Sequence, residues 1–238
     1  TGFEYYQDLN LGLSTRSFYE EIETDSTASA RQQKQKGNYW DTFIKLKINY
    51  DKRNQKFKTN DGFYSNFSTD LPIISETNTL TSSYTYKYYT DLFPNNVTSM
   101  SFFIEAANSI TGDDVKLSER LYLPSRRLRG FESGKIGPKD GTQFIGGNYA
   151  SSLNLNSTLP NILFENDNID LNFFIDLANV WEVDYDSSID SSKIRSATGI
   201  AVNWYSTIGP LTFSYAIPLS EADTDITEKF RFQIGTSF

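Results

Sequence analysis

The chain has no cysteine, no histidine and a single methionine among its 238 residues. Disulfides are therefore impossible. Ser-His and Cys-His nucleophiles and His- or Cys-ligated zinc are excluded with them. No stretch approaches the roughly 20 apolar residues that a membrane helix needs, and the mean hydropathy is -0.48. No phosphate-binding loop is present. Lys and Arg number 22 against 30 Asp and Glu, a net charge of -8, which argues against a nucleic-acid partner. No residue set suggests a metal or other cofactor. The chain starts at Thr1 without Met or a signal peptide, as expected of a processed or truncated chain.

Aromatic residues, by contrast, are abundant, at 15% of the chain with 18 Phe and 15 Tyr. They fall into a period of two. At the C-terminus Phe230, Phe232, Ile234, Thr236 and Phe238 share one face, and Lys229, Arg231, Gln233, Gly235 and Ser237 share the other. A strand with one apolar and one polar face suits a closed sheet between lipid and water, because mean hydropathy cancels along it. Ten such segments are read, at about 3–19, 39–51, 62–71, 77–92, 97–108, 143–159, 168–182, 193–204, 208–219 and 228–238. Most reach the roughly 9–11 residues that cross a bilayer at a tilt. The expected fold is all-β, an antiparallel transmembrane β-barrel.

With Phe238 on the periplasmic side, connections 20–38, 109–142, 183–192 and 220–227 fall outside. Turns 93–96 and 205–207 fall inside, the usual asymmetry of long outer loops and short inner turns. The short outer connection 72–76 and the longer inner one 52–61 depart from it. Trp40 and Trp181 then lie near the outer rim and Trp204 near the inner rim. A soluble β-sandwich is the plainer alternative. An enzyme reading would rest on the acid pairs Asp113-Asp114 and Asp223/Asp225, which sit in loops without a nearby base and read as solvated charges.

Several motifs follow one another at characteristic spacing: Arg126-Arg127-Leu128-Arg129-Gly130-Phe131, Gly137-Pro138, Gly146-Gly147, Phe174-Ile175-Asp176-Leu177-Ala178-Asn179-Val180-Trp181, Arg195-Ser196-Ala197-Thr198-Gly199 and Gly209-Pro210 through Leu219. Earlier, Tyr50 to Asn54 with Thr59 and Gly62 forms a further turn motif. Together these resemble the barrel of the BamA/TamA superfamily of outer-membrane assembly proteins, over nearly the whole chain and most densely from Glu119 to Phe238. The resemblance implies a sixteen-stranded barrel preceded by periplasmic domains, with residues 1–238 as its C-terminal portion and Thr1 near the seventh strand. It implies an outer loop at about 109–142 folded inward, with Leu128, Arg129, Gly130 and Phe131 as its motif. Parity puts Asp176 on the polar face, where an unpaired carboxylate would be costly. The expected lumen partners of Arg129 are Asp176 and, at the place where the family often has Glu, Asn156. Ala178 stands for a family Gly, and Pro124-Ser125 for a common Gly pair.

The resemblance further implies an outer-membrane location with a periplasmic C-terminus. It implies that Phe230, Phe232, Ile234, Gly235 and Phe238 supply a C-terminal recognition signal and one side of a first–last strand lateral gate. The implied activity is assembly of unfolded outer-membrane protein clients without nucleotide. Implied partners are those clients, assembly-complex lipoproteins reached through the periplasmic domains, and outer-membrane lipid and lipopolysaccharide. A TamA-like or two-partner-secretion translocation pore is the alternative within the superfamily.

Overall fold

Alternating sequences bury one face only if neighbouring strands keep the same parity, and the computed structural model of the protein shows how that is met. It describes residues 2–76, 78–159, 168–189, 193–207 and 209–235. In chain order the elements are β1 (Gly2–Tyr6), β2 (Leu9–Ile22), α1 (Ala30–Lys34), β3 (Gly37–Asp51), β4 (Gly62–Ile74), β5 (Thr79–Thr90) and β6 (Thr98–Ser109). Then come the two-residue strands β7 (Gly130–Phe131), β8 (Lys139–Asp140) and β9 (Gln143–Phe144). The chain continues through β10 (Tyr149–Thr158), β11 (Ile169–Trp181), β12 (Arg195–Ser206), β13 (Gly209–Ser220), β14 (Thr227–Glu228) and β15 (Phe230–Ile234). Among the described residues no helix is long and apolar enough to cross a membrane.

Among the described residues eleven strands form one antiparallel sheet in the order β1-β2-β3-β4-β5-β6-β10-β11-β12-β13-β15. Its apolar face is continuous across strands. Phe102 pairs with Leu153 and Leu153 with Leu177. Ile200 lies between Phe173 and Tyr215, and Phe213 pairs with Phe232. Phe173, Ile200, Tyr215 and Phe232 remain exposed, forming an outer apolar belt. On the opposite face one cross-strand row reads Ser101–Asn154–Asp176–Ala197 and the next Ser99–Asn156–Phe174–Gly199–Ala216.

Two expectations about strands change. The segment read as 3–19 is a hairpin, β1 and β2 joined at Gln7-Asp8, so the sheet has eleven strands instead of ten. Phe3 faces Leu11 and Tyr6 faces Leu9, with the register shifting between Glu4 and Tyr6. No Gly or Pro marks the turn. Asp8 takes the left-handed conformation (φ 68), which Asp tolerates better than most side chains, and its carboxylate accepts from Lys52 Nζ at 2.6 Å. The segment read as 143–159 starts at Tyr149 instead. Gly146 (φ 70) turns the chain there, while Gln143–Phe144 pairs back on Lys139–Asp140.

The connection 110–148 between β6 and β10 packs against the polar face of the sheet as a plug. Its Val115, Leu128, Phe131 and Ile136 form the main buried cluster with Phe103, Ala107, Ala150, Ala178, Val180 and Ala197 of the wall. Small wall residues make room for large plug residues. Ala178 sits within this cluster, so its methyl group is accommodated there.

Candidate functional site

Arg129 lies where the plug passes over β10 and β11. Its Nε donates to Asp176 Oδ2 at 2.7 Å and its Nη2 to Asp176 Oδ1 at 2.6 Å. This two-pronged geometry is the fit between a guanidinium fork and a carboxylate. The backbone N–H of Arg129 also donates to Asp176 Oδ2, at 3.0 Å. Nη2 donates to Asn156 Oδ1 at 2.8 Å, so the structure brings together all three residues singled out from the sequence. Asp176 is fully buried, and Asn154 Nδ2 supplies a further donor at 2.8 Å. Asn154 also donates to the Arg127 carbonyl at 2.8 Å. Its inward parity was visible in the sequence, but nothing there ranked it above its neighbours.

A platform lies beneath the guanidinium. Arg129 Cζ is 3.5 Å from the centroid of the Phe174 ring, close enough for a cation–π contact. Phe174 occupies space that Gly199 leaves open, since a Cβ on Gly199 would lie 2.8 Å from Phe174 Cζ and 2.0 Å from the Tyr215 carbonyl oxygen. Gly199 therefore supports Arg129 through Phe174. Gly130 is constrained twice over. Its φ is 89°, and a Cβ there would meet Ala216 and Ala197 at 3.2 and 3.3 Å. Leu128 and Phe131 on either side are buried.

The motif also reaches the end of the chain. β7 pairs with β14, Phe131 opposite Thr227 and Gly130 opposite Glu228. The Glu132 amide donates to the Ile226 carbonyl at 2.9 Å, and the Ile226 amide to the Lys135 carbonyl at 3.1 Å. Arg231 Nη2 of β15 donates to the Phe131 carbonyl at 3.1 Å and pairs with Glu228. Phe230, Phe232 and Ile234 lie on the exposed face of β15. Gly235 (φ 99) donates its N–H to the Pro210 carbonyl at 2.8 Å. Phe238 lies outside the described residues.

Further ion pairs hold the plug at its other end. The buried Lys116 ammonium donates to Asp41 Oδ2 at 2.6 Å and pairs with Glu20. Burial favours its neutral form, but the hydrogen bonds to Asp41 and Glu20 outweigh burial and hold its pKa above the ordinary lysine value. Arg120 donates to Asn148 Oδ1 at 3.1 Å and to Asp184 Oδ2 at 3.3 Å.

One acid pair departs from its sequence reading. Asp225 is a buried ion partner, not a solvated charge. Its carboxylate accepts from Arg195 Nε at 2.9 Å and Nη2 at 3.0 Å, both side chains fully buried. Asp113 accepts from the Thr111 hydroxyl at 2.8 Å, and the partly exposed Asp114 faces Arg31 at 3.7 Å. Among the described residues no cluster of acidic side chains could hold a metal ion.

The Omp85 superfamily domain matches residues 2–238. The outer membrane protein assembly factor BamA of Neisseria meningitidis serogroup B (strain ATCC BAA-335 / MC58) is 30% identical over 139 residues, which is 47% of this chain and 17% of that protein. The crystal structure of BamA from Haemophilus ducreyi lacking POTRA domains 1-3 superposes with a TM-score of 0.85 at 23% identity, covering 97% of this chain and 52% of that one. The chain thus spans about half of the solved relative, and the match covers under a fifth of the curated one. The structural likeness carries the fold, an antiparallel barrel sheet of the same type.

Proposed function

The chain belongs to the Omp85 superfamily, and from that membership we propose that residues 1–238 are the C-terminal part of the barrel of a BamA-type outer-membrane assembly factor. The barrel sits in the bacterial outer membrane with its C-terminus on the periplasmic side. It folds and inserts β-barrel clients without nucleotide, cofactor or covalent chemistry, and its periplasmic domains recruit assembly-complex lipoproteins. The observation that carries this reading is the plug held on the wall by Arg129, Asp176 and Asn156. A passive translocation pore needs an open lumen, whereas a docked plug favours work done at the rim of the sheet.

The edge strand supports the same reading. Among the described residues β15 pairs with β13 from Leu211 to Tyr215, with further backbone bonds from Gly235 to Pro210 and from Ala216 to Lys229, and no strand lies on its other side. An edge strand presents backbone donors and acceptors to which a client strand can add. Arg129 then acts by positioning the plug and, through β7 and β14, the chain that leads into β15.

The test is reconstitution of the full-length protein in liposomes, scoring assembly of an unfolded barrel client. Arg129→Ala is expected to lower the assembly rate severalfold. Undiminished assembly with the plug still docked would remove the role given to Arg129. Solute efflux without any client assembly would favour the translocation pore.

A further inference from the structure

Acids outnumber bases in the chain, 30 against 22, yet the cavity lined by the polar face of the sheet reverses that balance. It has a volume of about 810 Å³ and lies between the plug and the 52–61 connection. That connection leaves β3 and β4 and reaches across to β12, where the Phe57 and Tyr205 rings meet edge-on at 5.3 Å. Among the described residues lining the cavity, eight are Lys or Arg and one, Asp170, is acidic.

Three of these cations are matched. Arg53 donates to both oxygens of Asp51 at 2.8 and 2.9 Å, Arg129 is held by Asp176, and Arg231 pairs with Glu228. Lys87, Arg126 and Arg127 are different: among the described residues none has a carboxylate within ion-pair distance. Lys87 projects from β5 into the field of Arg53, Arg126 and Arg127. Arg127 lies over the Phe103 ring at 3.5 Å, with Glu105 acting on it only at longer range. Elsewhere the plug's buried cations are matched by acids, as at Lys116 and Arg120. Like charges gathered in a confined cavity repel one another and raise its affinity for anions.

We propose that Lys87, Arg126 and Arg127 form a binding site for a phosphate-class oxyanion inside the barrel. A multivalent phosphate answers three monovalent cations better than a single carboxylate does. The planar guanidinium of Arg127, fixed against Phe103, presents its N–H fork in a geometry suited to phosphate oxygens. The space between plug and 52–61 connection suits a small ion or a headgroup. This site is independent of what happens at the edge of the sheet.

The experiment is calorimetric titration of inorganic pyrophosphate into the full-length protein in neutral detergent, with a parallel arm using mixed micelles containing phosphatidylglycerol. Saturable pyrophosphate binding is expected, weakened by added NaCl and weakened about tenfold or more by Lys87→Gln or Arg127→Gln, the scale of one lost charge-assisted hydrogen bond. Lys87→Arg should retain most of the affinity. Binding to the phosphatidylglycerol micelles alone, lost in the same variants, would identify a lipid headgroup as the source and keep the site. Should Arg127→Gln fail to fold, Lys87→Gln compared with Lys87→Arg carries the test. Binding in neither arm, or equal affinity for wild type and Lys87→Gln, would overturn the proposal. So would tighter binding of poly-aspartate than of pyrophosphate.

Discussion

Asp176 has no solvent exposure, and Arg129 is only 15% exposed in its side chain. At that depth, removing one partner leaves the other charge uncompensated, at a cost of about 3–5 kcal/mol. Arg129→Met and Asp176→Asn should therefore each lower the urea midpoint of the folded barrel in detergent, read by gel mobility. The double variant should lose less than the two combined, with a coupling of about 0.5–3 kcal/mol. Strict additivity would mean that the two side chains do not stabilise one another. This pair was legible because Asp176 lies on a strand, where parity alone assigns a face. Asp225 was not legible. It lies in the β13–β15 connection, which has no period, and its burial arises only when that connection folds over Arg195. Phe174 shows an intermediate case: its inward parity was readable, but its role as a platform depends on the space left by Gly199, its partner on the neighbouring strand β12.

Between elements, the contact with the most consequence is the pairing of β7 with β14. It joins the plug to the segment that enters β15, so plug docking and edge-strand order are mechanically linked. Ile226→Pro deletes the amide that donates to the Lys135 carbonyl, and proline cannot replace that donor. Faster amide hydrogen exchange is expected in β15, with β11 and β12 unchanged. Exchange confined to the neighbourhood of residue 226 would show that the plug does not govern the edge strand. The sequence offered no sign of this pairing, since two residues are too few to display a period. Longer strands were legible down to their inward and outward faces. The β1–β2 hairpin escaped because its turn contains neither Gly nor Pro, and the odd positions Phe3, Tyr5, Leu9, Leu11 and Leu13 are apolar on both sides of it.

For the molecule as a whole, two surfaces of opposite character follow from one alternation. The outer belt of Phe173, Ile200, Tyr215 and Phe232 is apolar and exposed. The inner surface carries the plug, its ion pairs and the cationic cavity. If the belt faces lipid, a charge placed there must be stripped of water or drag water into the bilayer, which costs about 2–4 kcal/mol near the midplane for Lys or Arg. The same charge on the inner face stays in contact with water. Phe173 on β11 and Ser99 on β6 test this contrast, the first in the belt and the second lining the cavity. Phe173→Lys should sharply reduce the fraction of protein folded into lipid vesicles, read by the difference in gel mobility with and without heating. Ser99→Lys should leave a larger folded fraction than Phe173→Lys, because its added charge meets solvent instead of acyl chains. In detergent-free water the order should reverse for solubility, with Phe173→Lys the less prone to aggregate, since it removes an exposed aromatic ring from a sheet surface. Equal folding of the two variants into vesicles would mean that the belt does not meet the bilayer, and the orientation of every strand in the sheet would have to be reassigned.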